Sequence, residues 1–134
     1  MTLQISKDSI DLGIITNDVE PLLKFYRDTL GLEPDGEWQM PGGGHMTRLK
    51  CGTTVIKLVV NAQQPPAKSA PGGIGGSTGY RYFTISISNI ADVTRACQDA
   101  VHKIAVPVTE IRPGTSISII ADPDGNWMEL LQTA

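Results

Sequence analysis

The chain has no basic run and no stretch where aromatic and basic residues interleave, so it offers nothing shaped for a phosphate backbone. Eleven Lys and Arg against fourteen Asp and Glu leave a formal net charge of -3, the wrong sign for a nucleic-acid partner. Long apolar runs are also missing. None approaches the roughly 20 residues a membrane-spanning helix needs, and the N-terminus lacks a signal-like apolar core. A cytoplasmic protein with no membrane partner is expected. Cysteine is scarce: Cys51 and Cys97 lack metal-ligand spacing and read as reduced packing residues. What is present is ordinary for a globular chain. Its 134 residues are 40% hydrophobic and 19% charged, enough for one domain or for two small halves sharing a core.

The order of elements occurs twice. "SIDLGIITND" alternates as a strand, and "DVEPLLKFYRDTLG" follows as a helix, with Asp18 as N-cap, Pro21 in the first turn and Gly31 as stop. Val19, Leu22, Leu23, Tyr26 and Leu30 form its apolar stripe. "LEPDGEWQM", "HMTRLKCG" and "TTVIKLVVN" then read as three strands, the last two joined by a tight turn at Gly52. After residue 78 the pattern repeats. "YRYFTISISN" is a strand, "NIADVTRACQDAVHK" a helix capped by Asn89, and "IAVPVTEIR", "TSISIIADP" and "NWMELLQ" are three more strands. The expected fold class is therefore α+β: two βαβββ modules, 8–61 and 79–133, building a curved mixed sheet with the helices on its convex side, within a single 1–134 domain. Between them, 62–78 is rich in Pro, Gly, Ala and Ser and reads as a linker of little structure, or alternatively as a mobile flap over a site.

A period of two gives each inner strand one aliphatic face, to be covered by a helix. Ile10, Leu12 and Ile14 oppose Asp11, Gly13 and Ile15; Ile56, Leu58 and Val60 oppose Val55, Lys57 and Val59. Phe83, Ile85 and Ile87 oppose Tyr82, Thr84 and Ser86; Met128 and Leu130 oppose Trp127, Glu129 and Leu131. The repeat makes Asp11 equivalent to Tyr82, and Lys57 to Glu129. If the modules pair edge to edge, these four groups converge in one trough, where Lys57 is the natural counter-charge of Glu129. The bland reading is a solvated or ion-paired sheet surface.

"IDLGIITNDVEPLLKFYRDTLGLEP", with its "FY…LGL" helix end, and the closing "DPDGNWMEL" resemble the vicinal oxygen chelate superfamily. That superfamily includes glyoxalase I, bleomycin-resistance proteins and extradiol dioxygenases. The resemblance spans nearly the whole chain and implies the same paired βαβββ modules. It also implies a frequent homodimer, sometimes formed by exchanging modules. Metal-dependent members place ligands on the first and last strand of each module, which here are Asp11, Lys57, Tyr82 and Glu129. Only Glu129 keeps the usual ligand type. An ammonium has donors only and puts positive charge where a divalent ion would sit, so neither a catalytic metal nor another cofactor is expected.

Without a metal, the pattern suits proton transfer on a small carbonyl or carboxylate compound: an isomerase, epimerase or lyase. Glu129 is the first choice of base and Asp11 the second. Lys57 is the anion-binding group and Tyr82 a donor, with Thr84 and Ser86 beside them. The alternative is a non-catalytic drug- or small-molecule-binding protein, in which Trp127, Trp38, Tyr80 and Tyr82 supply flat contact. His45 and Arg48 depend on hairpin register. A three-residue turn at Gly52 sets His45 opposite Lys57. A two-residue turn sets Met46 there, turning Arg48 inward and His45 away. His102 reads as a cation favourable to the end of the second helix.

Overall fold

The computed structural model describes all 134 residues, which divide into two compact units, Met1–Pro66 and Ala67–Ala134. Each unit is a four-stranded mixed sheet with one helical segment. In the first, β1 (Leu12–Ile15), α1 (Val19–Leu23), β2 (Glu33–Gln39), β3 (His45–Cys51) and β4 (Thr54–Val60) give the sheet order β1-β4-β3-β2. In the second, β5 (Tyr82–Ser86), α2 (Ile90–Asp99), β6 (Lys103–Arg112), β7 (Thr115–Ala121) and β8 (Trp127–Thr133) give β5-β8-β7-β6. The first strand of each unit runs parallel to the last, and the other pairings are antiparallel. The repeat read from the sequence is thus a structural repeat.

Local chemistry sets the element ends. Asp18, in extended backbone, accepts a 3.2 Å hydrogen bond from the Glu20 N–H and starts α1. The expected helix to Gly31 is not uniformly α. It continues as a π-helix over Lys24–Thr29, closed by the Leu30 N–H donating to the Phe25 carbonyl, and stops where Gly31 takes φ +79°. The second helix was expected to reach Lys103 but ends at Asp99. Val101 adopts φ +65°, its N–H donates to the Gln98 carbonyl and the His102 N–H to the Cys97 carbonyl. That is a Schellman end, with a valine where glycine normally sits. His102 therefore lies past the helix, and burial lowers its pKa against the opposing pull of Asp122. A neutral imidazole adds no charge to the helix end.

The helices cover the aliphatic faces. α1 packs on β4, and Leu22, Phe25, Tyr26, Leu49, Ile56 and Leu58 are buried. α2 packs on β6, β7 and β8, with Ile90, Cys97, Ile120, Met128 and Leu130 buried. A Thr94–Ser118 hydroxyl pair at 2.8 Å satisfies the polar groups beneath α2. Ile10 departs from its expected face: it precedes β1 and is 86% exposed.

The "DPDGN" signature is a turn held by one buried carboxylate. Asp122 accepts from the Asp124 N–H, the Asn126 N–H and the Asn126 side-chain amide, each at 2.9 Å. The Pro/Gly-rich segment is not structureless either. Arg81 donates to the carbonyls of Gly73 (2.6 Å), Ala70 (2.8 Å) and Pro71 (3.3 Å), and Gly73–Gly75 forms a short 3₁₀ turn. No helix is long and apolar enough to cross a membrane.

Candidate functional site

In each unit the face opposite the helix carries most of the residues singled out above, with His45 the exception. In the second unit, β5 and β8 set Tyr82 beside Trp127, Thr84 beside Glu129 and Ser86 beside Leu131. Partners across a sheet share a face, so these six side chains form three rows. Thr84 Oγ1 donates to Glu129 Oε1 at 2.7 Å and fixes the carboxylate's orientation. Glu129 has no cationic partner within its unit and is half-buried. Trp127 is roofed by the 70–76 segment: a Cβ added at Gly73 would overlap its indole, and Gly73 has φ +56°. That loop therefore sits on the Glu129 face. Neither Gly73 nor Arg81 was identified from the sequence. The two doubled glycines, several residues ahead of Arg81, were the only local hint.

In the first unit, Gly13 pairs with Lys57 and Lys57 with Arg48, so these three share a face. Trp38 joins it through Met46, and the Arg48 guanidinium lies 4.3 Å from the Trp38 ring centroid. The turn holds two residues, Gly52 and Thr53, because Cys51 pairs with Thr54. Arg48 then faces Lys57, and Met46 pairs with Val59 rather than with Lys57. His45 pairs with Val60, on the face of Leu49 and Leu58, with Nε2 2.9 Å from Glu37 Oε1. It does not share the Lys57 face.

Asp11 precedes β1. Its Oδ1 accepts from Lys7 Nζ at 2.6 Å and from the Val55 N–H at 2.9 Å. The Lys7 ammonium, then the Val55 N–H, hold its carboxyl below the usual range, and Lys57 adds a smaller pull. Its position relative to Val55 matches that of Tyr82 relative to Trp127, and Gly13 to Lys57 matches Thr84 to Glu129. Lys57 and Glu129 are structural equivalents.

The matching family model is the Glyoxalase/Bleomycin resistance protein/Dioxygenase superfamily, over residues 9–130. The chain belongs to this superfamily. Among solved structures, a glyoxalase family protein from Bacillus cereus is similar at TM-score 0.83 and 13% identity, over 98% of this chain and 96% of that one. A mutant glyoxalase I from Zea mays is similar at TM-score 0.78 and 21% identity, over 96% of this chain and 46% of that one. The fosfomycin resistance protein FosX from Listeria monocytogenes, solved with Mn(II) and sulfate, is similar at TM-score 0.67 and 12% identity, over 98% and 95%. Identities this low carry the fold alone. No curated protein matches the sequence significantly.

Metal-dependent superfamily members raise the question of whether either unit's donors suit a divalent ion by themselves, and within each unit they do not. The first unit offers the Lys57 ammonium, which has no lone pair while protonated, and an Asp11 carboxylate already held by Lys7 and the Val55 N–H. Within neither unit do three His, Cys, Asp or Glu side chains gather as ligands would.

Proposed function

We propose that this superfamily member transfers a proton at carbon on a small carbonyl or carboxylate compound, as an isomerase, epimerase or lyase, without a catalytic metal. The observation that supports this is the equivalence of Lys57 and Glu129: one repeat presents an ammonium where the other presents a carboxylate. Glu129 is the base. Its Thr84 hydrogen bond aims one oxygen and leaves the other for substrate, while the half-exposed Tyr82 hydroxyl donates toward developing negative charge. Within the first unit, Lys57 and Arg48 are the groups suited to an anion. Asp11, the second candidate, is the poorer base because Lys7 stabilises its ionised form.

The test is exchange. Incubated in D2O with a panel of small carbonyl compounds, the protein incorporates deuterium at the carbon next to the carbonyl, followed by NMR. Glu129→Gln slows incorporation by about a hundredfold or more, whereas EDTA leaves it unchanged. Saturable binding with no exchange, in wild type and variant alike, would mark a capture protein of the bleomycin-resistance kind instead.

A further inference from the structure

Two cations stand directly opposite each other on the second face of the first unit's sheet: Lys57 of β4 and Arg48 of β3. Like charges so placed destabilise a sheet. The nearby carboxylates are committed elsewhere, and Asp11 feels Lys57 only as a minor, longer-range charge. Asp11 is held by Lys7 and the Val55 N–H; Asp35 accepts from Arg48 at 3.3 Å and lies 3.9 Å from Lys50. Lys57 makes no ion pair or hydrogen bond, and is itself half-buried. Its neighbours along that face, Val55 and Val59, are only 8% and 7% exposed. The Lys57 ammonium donors are not committed to any side chain of the unit.

Space adjoins it. Gly13, paired with Lys57 on the far side from Arg48, has no side chain, and a Cβ there would meet nothing within 4 Å. Arg48 uses one donor on Asp35 and keeps others in its planar fork. Trp38, 55% exposed, lies against that guanidinium.

We infer that Lys57 and Arg48 form a binding site for the carboxylate of a small unsaturated organic acid, with the Trp38 indole alongside its flat body. Asp35 selects for a single negative charge: it already offsets part of Arg48, and it repels a dianion such as phosphate. The site lies within the first unit, and the inference rests on the proposed function only in the chemical class of its ligand, a small carboxylate compound.

Calorimetry on the Glu129→Gln protein removes turnover from the measurement. The probes are benzoate, its neutral isostere benzamide, and inorganic phosphate. Benzoate binds saturably at millimolar concentration and more weakly as sodium chloride rises, while benzamide and phosphate bind at least tenfold more weakly. Lys57→Met and Arg48→Met each lower benzoate affinity tenfold or more; Lys24→Met, on the helix, leaves it unchanged. Without ligand, Lys57→Met melts no lower than its parent, so lost binding is not lost folding; Lys57→Gln replaces it if the methionine variant aggregates. Absence of benzoate binding, equal binding of benzamide, tighter binding of phosphate, or benzoate affinity retained in the folded Lys57 variant overturns the site. Such a failure leaves Glu129-dependent exchange in wild type standing, and loss of that exchange leaves the anion site standing.

Discussion

Val101 holds φ +65° with a β-branched side chain that is 90% exposed, so it contributes strain and almost no packing. Val101→Gly should raise stability by about 1 kcal/mol in chemical denaturation, the relief of left-handed strain exceeding glycine's extra unfolded-state entropy. Cys97 tests burial. Its thiol is pushed up from 9.0 to about 11 by desolvation beneath α2. A raised folded pKa means the unfolded chain ionises first, so stability is fully present below pH 9 and declines as pH rises toward 11. Denaturation midpoints should fall across that window, and Cys97→Ala should flatten the fall while lowering the neutral-pH midpoint. Both cysteines are free, as the sequence suggested; an aromatic disulfide reagent should label half-exposed Cys51 ahead of buried Cys97. Strain at a single residue was not legible in the sequence, because the period of α2's apolar positions runs on past Asp99.

At the scale of elements, the 70–76 segment shows how far composition can mislead. Its Pro, Gly and Ser content describes a free linker, yet three carbonyls converge on Arg81 and Gly73 fits flat against Trp127. These contacts depend on one side chain reaching back eight to eleven residues, which no local pattern encodes. Arg81→Met should make this loop the first site of cutting in limited proteolysis, with little change in the far-ultraviolet spectrum. Gly73→Ala should have the same effect, because its added methyl strikes the indole and its backbone is left-handed. The hairpin between β3 and β4 is the second such case. Alternation identified both strands, but only the two-residue turn decided that Arg48, and not His45, shares the Lys57 face.

For the whole molecule, the doubled βαβββ pattern was readable from end to end, since a strand–helix–strand rhythm is written in local periodicity and caps. The superfamily match over 9–130 agrees with it. The donor set makes a further prediction at this scale. Protein purified without chelator should carry no stoichiometric divalent ion by elemental analysis, and EDTA should not lower its melting temperature; a one-to-one metal content would refute the role given to Lys57.

By itself the sequence determined the order of the strands and helices, the alternation of faces along each inner strand, and that Lys57 and Glu129 occupy equivalent places in the two repeats. Those properties follow from local periodicity and need no knowledge of a partner strand. The tertiary structure decided who stands next to whom: Arg48 across from Lys57, Thr84 bonded to Glu129, Asp11 taken by Lys7 and the Val55 N–H, and the loop clamped over Trp127. Register and reach are set by turns and by contacts distant in the chain, so the charge left unpaired at Lys57 emerges only when the strands are laid side by side.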